Sequence, residues 1–88
     1  MRRLVWTAVG PEPWTRYVGR AGTVRVFDVS PVLGAGRSWD EAVENMEWLV
    51  TALIPTKLRG RTFPTAALAR EAAEGAFAGF MGYLMEGE

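Results

Sequence analysis

The sequence predicts a small α+β domain of order β-β-β-α-β-α, an antiparallel sheet with two helices packed on one face. Three observations predict it. Apolar residues alternate through three short runs before residue 30, each bounded by Gly or Pro. Ser38 and Glu41 then form a capping box ahead of an apolar stripe at helical spacing. After Pro64-Thr65, a last run to Leu84 repeats the helical period without interruption. At 88 residues the chain is one domain, 1–88, with a core small enough to gain from oligomerisation.

The first strand is expected over Arg3 to Val9, with Leu4, Trp6 and Ala8 alternating against Val5, Thr7 and Val9. Gly10-Pro11-Glu12-Pro13 ends it, because neither proline can donate to a ladder. Trp14–Arg20 and Thr23–Val29 read as a hairpin turning at Ala21-Gly22. That register puts Trp14, Arg16, Arg20, Arg25 and Phe27 on one side of the sheet. Tyr17, Gly19, Val24 and Val26 fall on the other, which carries fewer charges and is the expected helix-covered core.

Gly36 to Leu53 is expected as the central helix, with Trp39, Ala42, Val43, Met46, Leu49, Val50 and Leu53 on its stripe. Pro55 stops it. Trp48 then lies among Glu44, Glu47 and Thr51 on the acidic face. Thr56 to Phe63 reads as a basic edge strand or extended connection. Thr65 caps the final helix, whose stripe is Ala66, Ala69, Ala73, Ala76, Phe77, Phe80, Met81 and Leu84.

Composition narrows the function classes. The absence of Cys removes disulfides and thiolate metal sites, and the absence of His removes the commonest general base and zinc ligand. Zero net charge gives no global attraction to nucleic acid or anionic membrane. The charge is nonetheless divided. Residues 1–37 hold six Arg against Glu12 and Asp28, whereas 38–54 hold four acids and no base. No signal segment or membrane-length apolar run is seen, so a cytoplasmic location is expected.

Three surfaces carry candidate chemistry. Arg16, Arg20 and Arg25 with Trp14 and Phe27 form an Arg-aromatic sheet face suited to an acidic partner or stacked bases; alternatively it is a solvated face with Arg stems over apolar neighbours. Trp48 on an acidic helix face reads either as an interface anchor or as a residue covered by the last helix. Asp40, Glu44 and Glu47 share a helix face, but magnesium needs ligands from several elements or a phosphate, so no metal or cofactor is expected. Gly75, Gly79 and Gly82 lie opposite the last stripe, a place for a close helix crossing or for a weak helix end.

One stretch also carries a family likeness. Phe27-Asp28-Val29-Ser30-Pro31 leads through Val32–Ala35 into Gly36, Ser38, Glu41, Ala42 and Asn45. From Phe27 to Leu49 this resembles the HicB-like antitoxin domains, where a Pro-Asp-Leu-Pro-Gly turn and a short strand precede Gly-x-Ser/Thr-x-x-Glu-Ala-x-x-Asn. Phe27 stands in place of the motif's first Pro and Pro31 in place of its Gly. The resemblance implies a partial RNase H fold and a non-enzymatic antitoxin that covers a small ribonuclease toxin. The expectation is therefore a protein-binding, homo-oligomeric module, antitoxin-like or inhibitor-like. The alternative is a phage-type accessory or structural protein with an unrelated partner.

Overall fold

The computed structural model describes residues 4–86; Arg3, the expected first strand residue, lies outside them. The protein is α+β, a five-stranded antiparallel meander with two helices. Its elements are β1 (Val5–Val9), β2 (Arg16–Ala21), β3 (Val24–Val32), α1 (Trp39–Glu44), β4 (Glu47–Ala52), β5 (Thr62–Phe63) and α2 (Ala66–Glu86). Strands lie in chain order across the sheet.

The core forms between one sheet face and α2. Phe27, Val29, Val50 and Ala52 from β3 and β4 meet Ala69, Ala73 and Phe77, all buried. Small alanines let the helix backbone approach the sheet, and Phe77 fills the space beyond them. Thr65 caps α2 as its sequence implies, its Oγ1 accepting from the Leu68 N–H at 3.1 Å. α2 runs 21 residues, about 31 Å. Its last turns outrun the sheet, leaving Tyr83 and Leu84 exposed. The radius of gyration is accordingly 14.3 Å, against about 12 Å for a compact chain of this length.

The central helix is the main correction. Only Trp39–Glu44 is helical, and Glu47–Ala52 is a strand paired with Phe27–Val32. Seven apolar residues in this stretch satisfy a helical stripe, but Trp48, Val50 and Ala52 also satisfy an alternation of two. Pairing with β3 decides between them, and Trp48, Val50 and Thr51 suit a strand. The helix is stopped by Asn45. Its N–H reaches the Glu41 carbonyl at 3.0 Å, and its Nδ2 donates to the Ala35 carbonyl at 2.8 Å. A Cβ at Gly34 would fall 1.8 Å from the Asn45 carbonyl oxygen, so the approach loop fits against the helix end only with glycine there.

The hairpin is also shifted. It turns at Gly22-Thr23, with Gly22 at φ +64°, and Ala21 pairs with Val24. Gly19 pairs with Phe27 while Arg20 pairs with Arg25, which leaves Val26 as an extra residue on β3. This bulge turns both Val26 and Phe27 into the core, where they are 4% and 1% exposed. Phe27 is therefore not on the outer sheet face. On β1, Trp6 lies across Gly19, where an added Cβ would come within 2.9 Å of the indole.

Candidate functional site

The Arg-aromatic face is only partly assembled. Strand alternation puts Arg16, Arg20 and Arg25 on the sheet side opposite α2. Asp28 sits among them: its Oδ2 is 3.7 Å from Arg16 Nε and 3.8 Å from Arg25 Nη1, and its Oδ1 accepts from the Ser30 hydroxyl at 2.9 Å. A carboxylate thus offsets two of the three guanidinium groups. Neither aromatic residue joins them, since Phe27 is in the core and Trp14 lies in the turn before β2. The surface is a basic patch built around an acid.

Trp48 is likewise moved from its expected place. It is on β4, half-buried, and packs on Tyr17 with ring centroids 6.1 Å apart at 53°. The acidic helix face it was expected to occupy ends with α1, and Glu47 lies on β4 rather than beside Asp40 and Glu44. Among the described residues, no group of three or more acidic side chains is arranged to hold a metal ion.

A cleft of about 360 Å³ opens where α1 approaches the same sheet face as α2. Tyr17 and Trp48 line it from the sheet, Glu12, Pro13 and Thr15 from the turn before β2, and Val43, Glu44 and Met46 from α1 and its end. Pro64, just before α2, closes another side. The turn is held by the Trp14 N–H on the Pro11 carbonyl, 2.9 Å, and by Thr15 Oγ1 donating to the Gly10 carbonyl, 3.2 Å. Its Glu12–Pro13 peptide is cis.

α1 owes its position to its own ends. The Glu41 N–H donates to Ser38 Oγ at 3.3 Å, and Glu41 Oε2 accepts from the Arg37 N–H at 2.8 Å. This reciprocal cap fixes the first turn, so Trp39 projects from a set backbone. Trp39 and Val43 share a helix face at i, i+4 spacing.

Trp39 meets Trp14 from the opposite wall, with centroids 5.7 Å apart at 51°. The pair remains open to solvent, Trp39 by 62% and Trp14 by 38%. Glu12 and Glu44 line the cleft beside it, and Asp40 and Glu41 are exposed in the first turn of α1. An acidic rim beside aromatic faces favours a cationic group, because both carboxylates and ring quadrupoles attract positive charge. Arg70 of α2 already occupies one such position, its guanidinium carbon 4.5 Å from the Tyr17 ring centre.

Trp39 was missed as a site residue because it fits the apolar stripe of a long helix. Its signal was there: a Trp directly after an N-cap, followed by Asp40 and Glu41, belongs to the exposed first turn of a helix. Among the described residues, no helix is long and apolar enough to cross a membrane. No protein-family model, no curated protein and no solved structure matches the chain.

Proposed function

We propose that the protein is a non-enzymatic protein-binding module whose partner docks on the Trp14–Trp39 pair and places a Lys or Arg side chain at the acidic cleft beside it. The observation that carries this reading is the pair itself. Two indoles in tilted contact, standing open to solvent, contribute little to the core, and Trp is enriched at interface hot spots. The carboxylates of Glu12 and Glu44 supply the sign of the partner's charge. A sequence without His or Cys offers acid-base and nucleophilic chemistry few groups to work with, which also favours binding over catalysis.

The narrower version is antitoxin-like, with a small ribonuclease as the partner. It rests on the likeness at Gly36, Ser38, Glu41, Ala42 and Asn45, residues that make the cap and end of α1. The test is co-expression with the product of the adjoining gene, followed by co-purification. A complex is expected, and Trp14→Ala with Trp39→Ala should abolish it while Arg16→Ala leaves it intact. A complex indifferent to both Trp substitutions would overturn the cleft as the docking site. RNA cleavage by the pure protein would overturn the non-enzymatic reading.

A further inference from the structure

The two edges of the sheet are built differently. β5 is two residues long, with Pro64 immediately after it and the exposed Arg59 and Arg61 just before it. Short length, proline and charge are the devices that keep an edge from pairing with another chain. β1 has neither proline nor charge within its length and is more than twice as long. It is a five-residue strand, Val5-Trp6-Thr7-Ala8-Val9, without Pro, charge or bulge, and it pairs on one side only, with β2. Val5 is 64% and Val9 42% exposed. Every second backbone N–H and C=O along it points away from β2, with no strand among the described residues to receive it.

We infer that β1 pairs antiparallel with β1 of a second copy about a two-fold axis at Thr7, joining two five-stranded sheets into one of ten strands. The strand is complementary to itself in that register. On the open face Thr7 meets Thr7, and Val5 meets Val9 of the second copy, pairs of β-branched residues that favour a ladder. On the α2 face the large Trp6 meets the small Ala8, so bulk is not set against bulk. No like charges oppose one another, because the strand carries none. A two-fold axis uses this patch on both copies at once and closes the assembly at a dimer.

Light scattering on the whole chain tests this with two charged variants. Wild type should have twice the 9.7 kDa chain mass at micromolar concentration. Val5→Lys with Val9→Lys should be a folded monomer by circular dichroism, as should Val5→Glu with Val9→Glu. Mixing the two in equal amounts should restore the doubled mass, because each Lys then faces a Glu across the axis. A monomeric wild type, charged variants that remain dimers, or a mixture that stays monomeric would each overturn the β1 pairing. Should the charged variants unfold, amide exchange of wild type decides: the outward N–H groups of β1 should gain protection as concentration rises, and exchange that ignores concentration overturns the inference.

Discussion

Two aromatic pairs stand side by side in this molecule with nearly the same internal geometry. Tyr17 and Trp48 are 6.1 Å apart at 53°, and Trp14 and Trp39 are 5.7 Å apart at 51°. Their surroundings are opposite. The first pair joins β2 and β4 across β3, packs against the core beneath α2, and is capped by Arg70. The second bridges a turn and the first residue of a six-residue helix, and both its members are exposed. Ring geometry alone therefore does not distinguish a core pair from an exposed one. What distinguishes them is the amount of apolar surface each removes from water.

The comparison is broken most directly at Trp48. Trp48→Ala removes a half-buried indole from the core margin, and should cost about 3 kcal/mol, the low end for Trp truncation in a core. Urea denaturation measures this; a loss under about 1 kcal/mol would put Trp48 with the exposed pair instead. Arg70 comes next. Its guanidinium gains about 1 kcal/mol over the Tyr17 ring, yet its Nε is buried without an acceptor among the described residues, which costs a similar amount. Arg70→Met keeps the apolar stem and removes both terms, so its stability should change by less than about 0.5 kcal/mol. Arg70→Ala also loses the stem and should cost about 1 kcal/mol. Equal losses in the two variants would show that the charge, rather than the stem, holds α2 over Tyr17.

The sequence was legible where one period excluded the other. The stripe of Ala66, Ala69, Ala73, Ala76, Phe77 and Phe80 mixes odd and even positions and so fits only a helix, and Thr65 ahead of it located α2, whose buried face carries Ala69, Ala73 and Phe77. The open side of the sheet was legible for Arg16, Arg20 and Arg25 because alternation alone fixes it. Legibility failed at two points for identifiable reasons. Residues 46–52 satisfy helical and strand periods together, and only the ladder with β3, a non-local term, selects the strand. Val26 is an inserted residue, and its one local mark, two adjacent apolar residues at Val26-Phe27 between Arg25 and Asp28, does not say that both face the core. That single insertion moved Phe27 from the outer face to the core. The cleft inherited the first of these errors, since Trp48 lines it from a strand and Trp39 stands beside it from a helix that ends six residues after the cap.

The smallest effect on stability should fall on the residue of greatest consequence for binding. Trp39 is 62% exposed, so truncation forfeits little burial and about 0.5 kcal/mol of stacking on Trp14. Ala is also the better helix former by about 0.5 kcal/mol, which offsets that loss at the first position of α1. Trp39→Ala should therefore unfold within about 0.5 kcal/mol of wild type. Its affinity for the partner should nonetheless fall about 30-fold, the 2 kcal/mol that marks an interface anchor. Titration calorimetry beside urea denaturation reads both quantities on the same protein. A large stability loss would make Trp14–Trp39 a second structural pair, and an unchanged affinity would leave its exposure without a function. Only the split outcome, binding lost while the fold is kept, separates this pair from Tyr17–Trp48, because there the same truncation should remove both.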